Sequence, residues 1–394
     1  VTSPYRRWLT PMRARSSDEP HRVSTPLELF FDLCFVVAVS QAALPLHHSI
    51  AEGEVLDGVR GFLLVFFSIW WAWMNFTWFA SAYDTDDDVY RLTTLVQIVG
   101  ALVLAAGVEE AFDHTNFTVI TIGYVIMRLA TVGQWLRAAR ADPQRRATAM
   151  RYAIGVSAVQ VLWLLRLLVP DEPATMLPVF VALALLELAV PIWAERAPGG
   201  PTTYHPHHIA ERYGLFTLIV LGESVMAATI AVQAGFGPDI MHEAALIRLA
   251  IAGVIIVFAL WWIYFAKNAG DMLNSLRTSL LWGYGHYFIF AAAAAVGAGL
   301  AVRVDFVAHD AEISTTLASY AIAVPVAVYL FFVWLLHLRP ERNGFFRFVP
   351  PGIVVLVLLT PLVPASIELI AVLLVGLVTV HITLGRKSSA RSDR

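Results

Sequence analysis

Apolar residues gather along this chain into long runs separated by short polar breaks. Windows of about 20 residues, the length a helix needs to cross a hydrocarbon layer, fall near 26–46, 59–80, 92–111, 117–137, 150–169, 174–194, 211–232, 246–266, 278–301, 314–337, 346–363 and 365–385. The pattern predicts an all-α, polytopic membrane protein of about twelve transmembrane helices, the last two joined as a hairpin near Pro364. The first run, TPLELFFDLCFVVAVSQAALPL over residues 25–46, carries Glu28 and Asp32 in its opening turns. An ionised carboxylate at membrane depth costs about 3 kcal/mol or more, so it faces protein or water rather than lipid. Four residues apart, the two acids share one helical face.

The polar breaks fix the direction of the chain, because Lys and Arg concentrate on the cytoplasmic side. With the N-terminus inside, 22 of the 27 basic residues fall on inside segments, only Arg60, Arg248 and Arg303 fall outside, and Arg128 and Arg166 remain within runs. A miscounted helix would reverse the sides downstream of it, and none does. Residues 1–24 lack an apolar core followed by a small-residue cleavage site and read as a cytoplasmic tail. Residues 386–394 read as a second tail on the same side.

Sliding the chain by 191 positions sets Trp70 and Trp71 on Trp261 and Trp262, Phe67 on Phe258, Val65 on Ile256 and Asp32 on Glu223. Self-similarity of this kind is a mark of transporters. It divides the chain into two six-helix repeats, 25–196 and 208–385, joined by a linker at 197–207. Six is even, so the repeats are expected to run parallel, with an acid at matched depth in each.

Composition narrows the class further: 58% of residues are hydrophobic and 14% charged, against roughly 25% charged in soluble domains. Cys34 is the only cysteine, which excludes an intrachain disulfide. The chain has no CxxC, HExxH or phosphate-loop motif. Its net charge of −3, with basic residues spread over the loops, speaks against nucleic-acid binding.

Candidate chemistry lies mostly inside the apolar runs. The seventh opens HHIAERYGLFTLIVLGESVMAA, where His208 and Arg212 share a face and Glu223 returns to that stripe three turns deeper. Two readings of Asp32 and Glu223 stand open. Either they carry a proton or ion, or they pair with Arg128 or His286 to hold helices together. Glu187, in the sixth run, is open to the same two readings. His207, His208 and Glu211 are candidate metal ligands, the last two at the i, i+3 spacing of bundle metal sites. The bland reading is a helix start that meets lipid headgroups.

Arg166, Glu109 and Glu110 stand near run ends and are expected to snorkel outward. In WWAWMNFTWFASAYDTDDDVYR, Asn75 shares a stripe with Trp71 and Trp78 and is expected to bond another helix or line a cavity. Asp84, Asp86, Asp87 and Asp88 offer oxygen ligands but lack the glycine and distal glutamate of a calcium loop, so a solvated block partnered by Arg91 is expected.

PLELFFDLCFVVAVSQ, WWAWMNFTWFASAYDTDDDVYRLTTLVQIVGAL, HHIAERYGLFTLIVLGES and WGYGHYFIF together resemble the bacterial low-temperature-requirement A (LtrA) family, over about residues 22–385. The resemblance implies a polytopic bacterial membrane protein named for growth in the cold, with its biochemical activity undefined. It singles out Glu28, Asp32, Asn75, Asp84, Asp86, Asp87, Arg91, His208, Glu211, Arg212, Gly222, Glu223 and His286. FFDLCFVVAV is also similar to the first helix of endolysosomal and bacterial potassium channels, but Pro26 and Phe31 replace that family's arginine and serine.

The leading expectation is a proton- or cation-coupled transporter or permease in the bacterial cytoplasmic (inner) membrane, with Glu28, Asp32, Asn75, Arg128, Glu187, Glu211, Arg212, Glu223 and His286 as its substrate- or ion-binding set. A cation channel with two six-helix repeats is the first alternative. An intramembrane enzyme acting on lipid through His286, His208, Glu211 and the acids is the second. Membrane lipid and a small solute or ion are the expected partners, and a homo-oligomer is compatible with the chain. The sequence names no cofactor.

Overall fold

The computed structural model describes residues 8–17, 19, 22–169, 173–235, 240–308, 311–339 and 344–392. Arg6, Arg7, Arg342 and Arg394 of the charge argument lie outside them. The described residues form helices and connecting turns without a strand. In chain order the helices are α1 (Pro26–Ala51), α2 (Val55–Tyr83), α3 (Asp88–Ala106), α4 (Val108–Asp113), α5 (Thr118–Ala141), α6 (Arg146–Arg166), α7 (Pro173–Ala194), α8 (Pro206–Gly235), α9 (Ile240–Phe265), α10 (Leu276–Ala308), α11 (Thr315–Val333), α12 (Gly344–Leu359) and α13 (Ser366–Ser392).

Every apolar window but the third falls largely on one of these helices. Among the described residues ten are long and apolar enough to cross a membrane. The other two windows are occupied by α8 and by the shorter α12. The expected terminal hairpin is present, its turn made by Thr360–Leu362 and by Ala365 at φ 58°. The third window is the one that breaks. Its helix stops at Gly107, whose amide caps it on the Leu104 carbonyl at 3.0 Å, and α4 starts anew. The missing Cβ also lets the α5 start pass close, since one would lie 2.7 Å from the Ile120 amide.

The chain divides into two compact units, one of residues 1–42 and 63–213, the other of residues 43–62 and 214–394. In unit 1, α3 packs along α5, α5 along α6 and α6 along α7. In unit 2, α10 packs along α11, α11 along α12, and α13 against both α9 and α12. Each unit has a helix pair whose backbones touch at a glycine. At the α3–α5 crossing, a Cβ on Gly123 would stand 2.5 Å from the Gly100 carbonyl oxygen. At the α10–α11 crossing, one on Gly299 would be driven into the Ala321 carbonyl. Small residues that let backbones approach are the usual means of packing helices in lipid, where apolar burial gives no drive between them.

Gly123→Ala is therefore expected to destabilise the purified protein by about 1–3 kcal/mol, the range for overpacking a filled site. Gly133→Ala on the same helix, where a Cβ meets open space, is expected to leave thermal unfolding unchanged or raise its midpoint. Equal midpoints for both variants would contradict close packing at Gly123.

Candidate functional site

The site in unit 1 starts from a helix cap. Thr25, Pro26, Leu27 and Glu28 open α1, and Thr25 and Glu28 bond reciprocally: the Thr25 amide donates to Glu28 Oε2 at 2.7 Å, and the Glu28 amide to Thr25 Oγ1 at 3.3 Å. This is a capping box, with proline at the first helical position where its missing N–H costs nothing. It consumes one carboxylate oxygen of Glu28 and turns the other inward.

One turn deeper, Asp32 receives a two-pronged contact from Arg212 of α8, Nε to Oδ2 at 3.1 Å and Nη2 to Oδ1 at 2.5 Å. Trp73 of α2 adds its indole N–H to Oδ1 at 2.7 Å. The remaining terminal nitrogen of Arg212, Nη1, stands 3.0 Å from Glu28 Oε1, and His208 Nε2 stands 3.1 Å from that same oxygen. Two acids at i, i+4 on α1 thus face two bases at i, i+4 on α8. All four residues have 0% exposure. Glu28 Oε1 thus has Arg212 Nη1 and His208 Nε2 both within hydrogen-bond distance, without the two-point fork that Asp32 receives. Asp32 is clamped, whereas Glu28 is surrounded.

Beyond Glu28 the network continues toward the α2–α3 turn. Arg22 Nη2 lies 3.9 Å from Glu28 Oε1 and 3.6 Å from Asp84 Oδ2, and donates to the Ala80 carbonyl at 3.2 Å. Arg15 reaches Asp84 at 3.9 Å. Burial, reinforced by the charge of Glu28, pushes the Asp84 carboxyl up to about 6 against the opposing pull of Arg22 and Arg15. The tail before α1 runs across this turn. Thr10 N donates to Asp87 at 2.8 Å, Arg15 N to the Ala82 carbonyl at 2.9 Å and Ser24 N to Glu211 at 3.3 Å.

The acidic block is therefore structural. Asp87 caps α3 through the Tyr90 amide and pairs with Arg137 at 2.6 Å. Arg91 takes Asp86 at 2.7 Å, as the sequence led us to expect, but Asp84 is buried rather than solvated.

A second buried ion pair in unit 1 joins Arg128 of α5 to Glu187 of α7. Tyr124 OH donates to Glu187 at 3.0 Å and Trp71 Nε1 donates at 2.9 Å. Arg128 is thus the partner of Glu187, and Arg212, not Arg128 or His286, is the partner of Asp32. In unit 2, His286 of α10 bonds the Trp282 carbonyl through Nδ1 at 2.7 Å and the Tyr264 hydroxyl through Nε2 at 3.0 Å. Glu223 of α8 also belongs to unit 2 and is half-buried.

Three expectations change. Asn75 donates to the Trp71 carbonyl one turn back in its own helix at 2.7 Å, rather than to a neighbouring helix. Arg166 is buried, its guanidinium 5.7 Å from the centre of the Phe117 ring, rather than snorkelling. His207, His208 and Glu211 do not converge: His207 is exposed, His208 turns to Glu28 and Glu211 to Ser24. Among the described residues no group of three His, Cys, Asp or Glu is arranged to hold a metal.

Thr25 and Trp73 are the site residues that sequence reasoning missed. The T-x-x-E signature announces the first, whereas nothing local announces the second.

The family described as bacterial low temperature requirement A protein (LtrA) matches residues 23–384 of the chain. A protein of Rhizobium meliloti (strain 1021), described as uncharacterized, is 26% identical over 290 residues, covering 70% of this chain and 68% of its own.

Asp32→Asn is expected to lower stability by about 3–5 kcal/mol, because it leaves a buried guanidinium without its clamp. A melting temperature equal to the parent's would contradict the clamp. Asp84 generates a pH dependence. Its folded carboxyl binds protons more tightly than an ordinary aspartate, so folding stability is highest below about pH 4 and falls by about 3 kcal/mol as pH rises toward 6. Asp84→Asn should remove that decline from the melting curve, and an unchanged slope would count against a buried Asp84.

Proposed function

Because the chain belongs to the bacterial low-temperature-requirement A (LtrA) family of membrane proteins, we propose that it is a proton- or cation-coupled transporter whose coupling centre is the Glu28–His208 contact. One observation carries this reading. Glu28 Oε1 stands within 3.1 Å of His208 Nε2 and 3.0 Å of Arg212 Nη1, fully removed from solvent.

A proton passing between a carboxylate and an imidazole in contact leaves the net charge of the pair unchanged, whereas loading one from outside adds a unit charge, which the neighbouring Asp32 and Asp84 carboxylates offset. Asp32 holds Arg212 in place in either state. Arg22 and Asp84 lead from the α2–α3 turn to Glu28, and Asp84, with its carboxyl near 6, supplies the entry group.

The wider scheme uses the repeat. Glu223 matches Asp32 at a shift of 191 positions, and each unit pairs two of its helices through glycine at a close crossing. Support for a cytoplasmic-membrane location with both termini inside comes from the 22 basic residues gathered on one set of loops. The cargo in this reading is a small solute or ion.

The test is flux in proteoliposomes under an imposed pH gradient, with an internal pH dye. Glu28→Gln keeps the capping bond, since glutamine also serves at that position, and removes the exchangeable charge. Proton movement is expected to fall at least tenfold in Glu28→Gln and in His208→Gln, with both proteins still folded. Flux at the parent rate in either variant would overturn the assignment.

A further inference from the structure

We propose that unit 1 also holds a binding site for a small inorganic anion of the halide class, in the cavity between α2, α5, α6 and α7. The cavity is lined by Ser68 of α2, Thr121 and Tyr124 of α5, Trp163 and Arg166 of α6 and Phe180 of α7, and its space for a water-sized centre is about 10 Å³. That is about the room one water needs, which rules out a polyatomic solute and leaves a single water or an ion of similar size.

The hydrogen-bonding inventory decides what kind of occupant fits. The buried indole N–H of Trp163, which lines the cavity, makes no hydrogen bond. Gln160, one turn earlier on α6, leaves both amide atoms unbonded, and Arg128, four residues on from Tyr124 on α5, leaves Nε and Nη1 unbonded. Each such orphan costs about 1–3 kcal/mol in a dry interior, so the Trp163 donor, which lines the cavity, points to a group that satisfies it.

Most of the unbonded atoms are N–H donors, two of them on a guanidinium. The nearby carboxylate, Glu187, already accepts from Arg128, Tyr124 and Trp71. A cation would find hydroxyl groups but no free carboxylate, and its charge would face Arg128. An anion finds the Trp163 indole N–H, the Thr121 hydroxyl and the Arg166 guanidinium among the lining residues, in a medium where such attraction is poorly screened. Chloride is little larger than water and meets the size limit. This site is independent of the Glu28 centre and stands whether or not that centre couples transport.

The probe is chloride, exchanged for gluconate at constant ionic strength, on the purified full-length chain in nanodiscs. Saturable binding of radiolabelled chloride at about one per chain is expected, together with a rise in melting temperature, as for any ligand of the folded state. Trp163→Phe keeps a ring and removes the donor, and is expected to weaken chloride binding about tenfold, the cost of one charge-assisted hydrogen bond. Thr121→Val provides a second variant for the same reading should Trp163→Phe fold poorly. Identical melting in chloride and gluconate with no bound label would mean that water alone fills the cavity. Undiminished binding in a folded Trp163→Phe or Thr121→Val protein would place the anion elsewhere. Either result overturns the proposal.

Discussion

Two carboxylates held where no water reaches them are the constraint from which the organisation of unit 1 follows. Removing an ion from water costs several kcal/mol even after the protein relaxes, and only close opposite charge and hydrogen bonds offset it. Asp32 therefore requires the planar fork of Arg212, which matches a carboxylate at two points as a lysine could not. That requirement sets the start of α8 beside the start of α1, and Trp73 brings α2 to the same oxygen. Glu28 meets the demand differently. One of its oxygens belongs to the helix cap, and the other is shared by surrounding cations.

The contrast between these two acids is one of geometry. Asp32 has aligned donors on both oxygens. Glu28 Oε1 instead has Arg212, His208 and Arg22 at 3.0, 3.1 and 3.9 Å. Glu187 resembles Asp32, with Arg128, Tyr124 and Trp71 all engaged. Within one unit the same physics yields two buried carboxylates each fixed by several donors and a third, Glu28, that Arg22 links to Asp84.

Much of this was legible in the sequence, and the reasons for the rest are specific. Helix positions followed from apolar run length alone, because in lipid the backbone has no alternative to intrahelical bonding. The i, i+4 spacings of Glu28 with Asp32 and of His208 with Arg212 were equally readable as shared faces. Which face meets which was not. Asp32 and Arg212 are 180 residues apart, and spacing within a helix carries no information about its neighbour. Arg128 looked as suitable a partner for Asp32 as it is in fact for Glu187. The Asn75 back-bond and the burial of Arg166 escaped for the same reason, since side-chain direction is settled by tertiary packing. The acidic block misled in another way: its composition suggests solvated carboxylates, whereas the tail preceding α1 covers it with arginines.

The claim on which the account rests is that the Glu28 carboxyl changes protonation as part of its exchange with His208. Infrared difference spectroscopy reads this directly, as the carboxyl carbonyl band that grows or fades when the protein in lipid is taken between acid and alkaline buffer. The account predicts a band that is absent from Glu28→Gln and displaced in frequency by His208→Gln. A complete set of titrating carboxyl bands surviving in Glu28→Gln would contradict it.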